Sequence, residues 1–426
     1  METKPEQSNL PTGTSASFWK KLSLVGPGIV VAATGVGAGD MVAAIVAGSS
    51  FGMALLWAVI VGALLKFFLS EGLGRWHLAT GKTILEGWHS LGWAATGYFS
   101  VYVILFGFIY GAAVSSTCAL VATALVPSVP LWAWAIIHPI VGFILIMLGR
   151  YQLLERIMMV LIAIMFITVV GSAVILMPSL GDLAWGIVPK IPGGSFLRIL
   201  GLIGGVGGSI TLASYGYWLQ AKGWKGKSWI PVMKVDASVA YIITGIFGVA
   251  IMIIATHFLF GTGLKISGDQ GMLQLADPYG EAFGGVARWL LLLGFWGAAF
   301  TSLLGSWNGI SYLFADFVRV MKKKKKDTRK DEEITEKSPA FIGYMAWMTF
   351  PPMLLLLVHN PVGIVIIYGA LGAIFMPFLA ITLFYLLNSK RVGADYRNGV
   401  VYNVILGLIV LIFVVLGAKE LYHMFV

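Results

Sequence analysis

Residues 26–50 read GPGIVVAATGVGAGDMVAAIVAGSS, an apolar run long enough to cross a lipid bilayer once as a helix. Inside it Gly35, Gly37 and Gly39 stand at alternate positions, and Asp40 follows them directly. Glycines weaken a helix, and non-helical backbone at membrane depth is tolerated only where it is buried in protein or lines a wet cavity. The stretch therefore predicts an interrupted membrane span, whose glycines mark either a tight helix contact or a binding site.

The composition of the whole chain indicates a helical membrane protein with many spans. Hydrophobic residues make up 58% of the 426 residues and charged residues only 11%, against about 25% charged in a soluble domain. The net charge of +10 does not indicate nucleic-acid binding, because the Lys and Arg residues fall in short loops between apolar segments. Cys118 is the single cysteine, so no intramolecular disulfide is possible. Residues 1–17 are polar and lack the pattern of a cleavable signal peptide.

Eleven apolar segments have the length of about 20 residues that a hydrocarbon core of about 30 Å requires. Cations concentrate in alternate loops, for example at Lys222, Lys225 and Lys227, whereas the loop VPSVP at residues 126–130 has none. The positive-inside rule then places the amino terminus in the cytoplasm and the carboxyl terminus outside. We expect an integral protein of a bacterial inner membrane. The predicted spans are 24–49, 52–73, 97–125, 130–148, 153–177, 196–220, 233–260, 285–319, 340–358, 361–387 and 399–418.

One segment is strongly charged, namely KKKKKDTRKDEEITEKSP at residues 322–339. Runs of like charge are commonly solvated, so we interpret it as a cytoplasmic linker between the eighth and ninth spans. A second interpretation stays open, in which Lys322–Lys326 contact anionic lipid headgroups at about 1 kcal/mol per lysine.

A second interruption lies in the sixth predicted span. Residues 201–224, GLIGGVGGSITLASYGYWLQAKGW, contain closely spaced glycines followed by Ser209, Thr211 and Ser214. Broken helices at matching places in two halves of a chain indicate an inverted-repeat transporter with substrate bound between the breaks. The alternative is that the glycines form small-residue packing seams, which are common in membrane helices. On the first interpretation the chain divides into a cytoplasmic tail (1–20), a first repeat (21–195), a second repeat (196–390) and a last span with an external carboxyl terminus (391–426).

Several stretches together resemble the Nramp family of divalent metal transporters, whose fold is of the LeuT type. GPGIVVAATGVGAGD, residues 26–40, is similar to the family's first span, in which GPG precedes a DPGN motif. No single stretch is specific, and their common order along the chain carries the resemblance. It implies an all-α polytopic membrane protein with about 11 helices, a 5+5 inverted repeat and broken helices 1 and 6. The other similar stretches are EGLGRWHLATGK (71–82), LLERIMMVLIAIMF (153–166), GIVPKIPGGSFLRILGLIGGVGG (186–208) and MPFLAITLFYLLNSKRVG (376–393).

The departures from the family concern its metal ligands. Gly37–Asp40 stand where the family has DPGN, so its ligand aspartate is lost and Asp40 takes its asparagine position. LASY, residues 212–215, stands where the family's sixth span has MPHN, so the methionine and the histidine are missing. A thioether selects softer transition metals, whereas oxygen ligands suit hard ions such as Mg²⁺. We therefore expect a hard divalent ion rather than Mn²⁺ or Fe²⁺, although a monovalent ion or a cationic solute would also fit one carboxylate. The third span lacks the family's acidic proton route, which leaves uniport or coupling to another ion open.

The predicted binding site lies at the two interruptions. Asp40 can act as a ligand, or it can simply cap the second half of its helix by accepting backbone N–H bonds. No basic residue is predicted beside it, because Lys66 and Glu71 are expected to reach the cytoplasm as a pair. Substrate-binding candidates are Gly37, Gly39, Asp40, Thr211, Ser214 and Tyr215; Asp40, Gly37 and Thr211 are the candidate metal ligands, and Ser209 and Asn308 are secondary candidates.

The sequence thus predicts a secondary transporter that moves an inorganic cation by alternating access. The alternative is a cation-coupled carrier of a small organic solute such as an amino acid, because helix ends exposed at the breaks can bind a carboxylate. A receptor or scaffold on the same fold is less favoured. An enzyme is not expected, because the sequence shows no pairing of nucleophile and base, and no cofactor is expected besides the transported cation.

Overall fold

The computed structural model describes residues 26–148, 151–263, 272–322 and 334–425. Within these ranges the regular elements are all helical, which confirms the predicted class. Among the described residues, seven helices have the length and hydropathy of a membrane span, and one bent pair counts as an eighth if it forms a single span. The bounds are α1 Pro27–Gly35, α2 Ala38–Phe51, α3 Leu56–Thr80, α4 Ile84–Leu91, α5 Trp93–Leu125, α6 Leu131–Met147, α7 Tyr151–Ile175, α8 Leu180–Ile187, α9 Phe196–Gly205, α10 Tyr215–Ala221, α11 Ile230–Leu259, α12 Leu273–Phe283, α13 Gly285–Lys322, α14 Pro339–Thr349, α15 Pro361–Asn388 and α16 Val400–Phe425.

The helices follow the apolar segments of the sequence closely. In the described part of the chain, each of the predicted spans coincides with helix. The first span is divided between α1 and α2, and the sixth between α9 and α10, with a 3₁₀ turn at Ile210–Ser214 between the last two. Both interruptions therefore lie where the glycines predicted them.

Gly52 separates the first span from the second. Asp40–Thr80 is a nearly continuous apolar stretch of 41 residues; as one straight helix it would be about 62 Å long, roughly twice the thickness of a bilayer core. Gly52 has φ +58°, a left-handed conformation that favours glycine, and it begins the short turn Gly52–Leu55 between α2 and α3. This local break lets the stretch provide two spans.

The packing of the spans repeats itself after five spans. The first span (α1, α2) packs against the seventh (α11), and correspondingly the sixth (α9, α10) packs against the second (α3). The third span (α5) packs against the tenth (α15), just as the eighth (α13) packs against the fifth (α7). These reciprocal contacts are those of two intertwined five-helix repeats. The repeat limits at 21–195 and 196–390 stay a prediction.

The second span is tied at one end to two distant segments. The Arg75 Nε donates to Glu71 at 3.0 Å, and the same guanidinium donates to the backbone oxygens of Tyr396 and Arg397 at 3.3 Å each. Glu71 is buried and also lies 3.7 Å from Lys234. The expectation that Glu71 reaches the cytoplasm as a pair with Lys66 is therefore wrong, because buried Glu71 pairs with Arg75 of its own helix and with Lys234 of α11.

The charged linker falls largely outside the described residues. Lys322 ends α13, and the next described residue is 334. The proposed contact of Lys322–Lys326 with anionic lipids stays a prediction.

Candidate functional site

The break in the first span consists of two residues, Val36 and Gly37, between α1 and α2. A Cβ on Gly37 would lie 2.2 Å from the Cβ of Ser302, so α13 passes directly against the break. A Cβ on Gly35 would lie 2.6 Å from the carbonyl carbon of Gly207, which belongs to the other break. Glycine is needed at both positions because neighbouring segments come too close for any side chain.

The break in the sixth span begins where α9 ends at Gly205. Gly207 and Gly208 have φ +72° and +74°, the left-handed region in which glycine carries no steric penalty. The chain then forms the 3₁₀ turn before α10 starts at Tyr215. Since Gly35 touches Gly207, the two breaks face each other in the middle of the bundle.

Asp40 joins the two breaks. Its side chain is 1% exposed, and Oδ2 accepts a hydrogen bond from the backbone nitrogen of Gly207 at 3.0 Å. Oδ1 is buried without a hydrogen-bond partner among the described residues. Asp40 lies in the first turn of α2, where a negative charge is favoured by the helix dipole, but α2 has no side-chain cap. The interpretation as a cap of its own helix is therefore wrong, because the carboxylate reaches across to the sixth span.

We call the place where Asp40 connects the breaks of the first and sixth spans the junction. Lys66 of α3 lies beside the junction, contrary to the expectation that no basic residue does. It is 1% exposed, and Nζ donates to the carbonyl oxygen of Gly204 at 2.8 Å and to that of Gly208. The Asp40 carboxyl group is near enough to interact with Lys66 electrostatically. The prediction that Lys66 reaches the cytoplasm is wrong, because the carbonyls freed at the broken helix offer it partners inside the bundle.

Two further candidates lie near the break of the sixth span. The Ser209 hydroxyl donates to the carbonyl oxygen of Gly204 at 3.1 Å, so it shares that acceptor with Lys66. The Thr211 Oγ1 lies 2.2 Å from the position that a Cβ on Gly208 would take. Gly39 and Asp40 both lie in the first turn of α2.

Ser214 and Asn308 lie in a different place, a cavity of about 1070 Å³ that is also lined by α4 and α13. The Ser214 hydroxyl donates to the backbone oxygen of Gly309 at 3.0 Å. Asn308 donates to the Glu336 carboxylate at 3.1 Å. The loops at this end are the cation-rich ones of the sequence. We call this space the inner cavity; its charged lining includes Lys82, Glu86, Asp316, Arg319 and Glu336.

Tyr215 is engaged in packing the scaffold. It is fully buried, and its hydroxyl donates to the Asp236 carboxylate at 2.7 Å. The other oxygen of Asp236 accepts from the backbone nitrogen of Gly26 at 3.0 Å. In this conformation the Tyr215 hydroxyl therefore ties the sixth span to the seventh and is not available to a substrate.

The junction offers few donor atoms to a cation, and these donors are oxygen atoms. No group of three or more His, Cys, Asp or Glu residues that could hold a metal occurs in the described ranges. The available donors are one free carboxylate oxygen of Asp40, hydroxyls such as that of Thr211, and carbonyls at the breaks. Such a set suits a hard ion that keeps part of its water shell.

The sequence interpretation missed three residues at the junction. Lys66 is signalled by its position as a lone cation in an apolar run, which is by default a functional hypothesis. The Ser302 hydroxyl donates to the backbone oxygen of Thr34 at 2.9 Å, and the Tyr110 hydroxyl lies 3.2 Å from it. Neither has a sequence signal, because Ser and Tyr are ordinary in membrane helices.

Comparisons with known proteins agree with this arrangement. A family model described as natural resistance-associated macrophage protein-like (Nramp) matches residues 28–423. An uncharacterized protein of Pasteurella multocida is 26% identical over 290 residues, 65% of this chain and 66% of that protein. The divalent metal cation transporter MntH of Klebsiella pneumoniae is 26% identical over 275 residues, 61% of this chain and 63% of that protein. Both alignments span slightly less than two thirds of the relative's own length.

Solved structures extend the likeness to nearly the whole chain. A manganese transporter of Eremococcus coleocola matches with a TM-score of 0.73 at 15% identity, over 96% of this chain and 88% of that one. Mhp1, a nucleobase-cation-symport-1 family transporter, matches with a TM-score of 0.53 at 13% identity, over 93% and 92%. At identities this low, the matches show the fold alone. They confirm the predicted LeuT-type arrangement.

Proposed function

Because this chain belongs to the Nramp family, we propose that it is a secondary transporter that carries an inorganic cation across the membrane by alternating access. One observation carries the proposal, namely the buried, unpartnered Oδ1 of Asp40 where the two broken spans meet. A buried carboxylate oxygen without a partner costs free energy, so a protein retains it where a ligand completes it. Transport, rather than catalysis, is the role that this arrangement supports.

Within the cations, we propose a hard divalent ion such as Mg²⁺ in preference to Mn²⁺ or Fe²⁺. The donors on offer at the junction are oxygen atoms, and Leu212 and Ser214 stand where the resemblance would place a thioether and an imidazole. Oxygen donors suit Mg²⁺, which binds through one or two carboxylates and keeps several waters. The ion would contact Asp40 and the backbone near Gly37 and Thr211.

The inner cavity is the proposed route between this site and the cytoplasm. It reaches Ser214 and Gly309 and carries acidic groups that attract cations, among them Glu86 and Glu336. The orientation can be tested by labelling, because Cys118, the single cysteine, is buried. With the amino terminus inside, an impermeant maleimide added outside should label Ser128→Cys but not Lys390→Cys; the reverse pattern would contradict the orientation.

Uptake into proteoliposomes tests the transport proposal. Vesicles loaded with a Mg²⁺ or a Mn²⁺ indicator should report saturable uptake by the wild-type protein, with Mg²⁺ preferred. Asp40→Asn should lower apparent affinity about tenfold or more, because losing about 1.4 kcal/mol of ligand interaction is a tenfold change. Asp395→Asn, which changes an exposed carboxylate, is the matched control and should behave as wild type. No uptake of either ion by the wild type would refute the cation proposal.

A carrier of a small organic solute is the second candidate, and the position of Lys66 favours it. A fixed ammonium at the junction repels a divalent cation but would pair with a carboxylate group such as that of an amino acid. Saturable uptake of labelled amino acids that Asp40→Asn and Lys66→Met abolish would support this candidate. Cation uptake without any amino-acid uptake would reject it.

A further inference from the structure

Lys66 places a basic side chain in the middle of the membrane-spanning bundle. Its side chain is 1% exposed, and its Nζ contacts the carbonyl oxygens of Gly204 and Gly208. A buried charge is stable only when it is paired and hydrogen-bonded. The partners here are backbone carbonyls and, through space, the carboxylate of Asp40.

These carbonyls are exposed by the break itself. In a continuous helix the Gly208 nitrogen would donate to the carbonyl oxygen of Gly204. Here it donates to the carbonyl oxygen of Gly205, so the Gly204 oxygen lacks its helical partner. The Gly204 oxygen receives Lys66 at 2.8 Å and the Ser209 hydroxyl at 3.1 Å instead. The negative end of the α9 dipole points at the same place. Carbonyls at the end of a half-helix, with a carboxylate nearby, form the kind of oxygen cage that holds a monovalent cation.

We infer that the Lys66 ammonium holds the place of a monovalent alkali cation at the break of the sixth span, and that an uncharged side chain at position 66 turns this place into a Na⁺ site. Lysine supplies a compact charge with three donors, which matches several carbonyl acceptors as a bound ion would. The nearby carboxyl group of Asp40, which interacts with Lys66 through space, is the second feature that favours a cation here. The wild-type protein consequently needs no inorganic ion at this place.

The inference goes beyond the transported substrate and shares with the proposed function the junction and its carboxyl group, Asp40. Its test reads stability and ion binding, so a failure of transport and a failure of this inference are distinguishable. Purified wild-type protein, Lys66→Met and the control Lys390→Met, at an exposed position, would be unfolded thermally in chlorides of Na⁺, K⁺ or N-methyl-D-glucamine at equal ionic strength.

Na⁺ should stabilise Lys66→Met saturably and leave the wild type and Lys390→Met unchanged. At a Na⁺ concentration 100 times its Kd, the folded-to-unfolded ratio of Lys66→Met should rise about 100-fold. K⁺ should act more weakly or not at all if the cage fits Na⁺. Equal unfolding of Lys66→Met in all three salts would overturn the inference.

Two further variants keep the test decisive. Asp40→Asn combined with Lys66→Met removes the negative charge that lies near the carbonyls, so the stabilisation by Na⁺ and the binding of radioactive Na⁺ should both weaken, and an undiminished response would count against the inference. Lys66→Gln retains a donor for the carbonyls and serves if Lys66→Met does not fold without Na⁺; it should show the same response to Na⁺. Failure of both single variants to fold even in Na⁺ would overturn the inference, since the ion would then not replace the ammonium.

Discussion

Gly35→Ala is expected to destabilise the protein although it adds a better helix former at the end of α1. A Cβ at this position would lie 2.6, 2.7 and 2.8 Å from the carbonyl carbon, oxygen and Cα of Gly207. Ordinary contact begins at 3.4 Å, so the two breaks would have to separate by about 0.8 Å, the difference between 3.4 and 2.6 Å. All three atoms belong to the backbone, so no side-chain rotation can relieve the overlap.

The magnitude follows from two opposing terms. Replacing glycine by alanine inside a helix gains roughly 0.5–1 kcal/mol, whereas overpacking a buried contact costs roughly 1–3 kcal/mol. Gly343→Ala on α14 is the matched control, because a Cβ there meets no atom within 4 Å. The helix term cancels between the two variants, so Gly35→Ala should be less stable than Gly343→Ala by about 1–3 kcal/mol.

The assay is reversible unfolding in mixed micelles titrated with sodium dodecyl sulfate, together with substrate uptake. Separating the breaks also lengthens the bond of 3.0 Å between Asp40 and the Gly207 nitrogen, so uptake by Gly35→Ala should fall while that of Gly343→Ala stays normal. Equal or greater stability of Gly35→Ala relative to Gly343→Ala would refute the direct contact of the two breaks.

Three other perturbations distinguish residues that stabilise the fold from residues that contact a substrate. Arg75→Met removes the cation at 3.0 Å from buried Glu71 and leaves Lys234 at 3.7 Å, so it should cost about 1–3 kcal/mol. The control Lys227→Met breaks an ion pair whose members are 64% and 60% exposed and should cost under about 1 kcal/mol. Equal losses in the same unfolding titration would contradict the buried network. Tyr215→Phe should lower stability by about 1–3 kcal/mol with unchanged substrate affinity, and a fall in affinity alone would restore Tyr215 as a ligand. Burial raises the pKa of the Glu336 carboxyl above its ordinary 4.5, so its contribution to stability is full below pH 4.5 and is lost as the pH rises through the raised value. The protection factors of residues 334–338, which correct exchange rates for the intrinsic pH dependence of amide exchange, should therefore rise on acidification, and Glu336→Gln should remove this rise.

The course of the helices was predictable because it depends on local properties of the chain. Apolar runs of about 20 residues mark membrane spans, since within lipid a single segment satisfies its backbone hydrogen bonds only as a helix. Glycine clusters at residues 35–39 and 204–208 mark the two breaks for the same local reason. The position of Asp40 at the first break was predictable, and a carboxylate in an apolar run makes it a candidate site residue.

The partners at the junction were not predictable in this way. Asp40 accepts from Gly207, which is 167 residues away, and Lys66 donates to Gly204, which is 138 residues away. Tyr215 has the sequence position of a ligand, yet its hydroxyl turns to Asp236. Which way such a side chain points depends on the rotation and depth of two helices relative to each other, and a single sequence does not contain that relation.

By itself, then, the sequence determined a polytopic helical protein whose first and sixth spans are broken at glycines, because hydrophobicity and backbone freedom are properties of each segment alone. Only the tertiary structure decided that the breaks touch, that a lysine instead of open space faces the freed carbonyls of α9, and that Ser214 and Asn308 line the inner cavity apart from Asp40. The physical reason is that a charge buried between helices takes its partners from whichever segments the packing brings within hydrogen-bond distance.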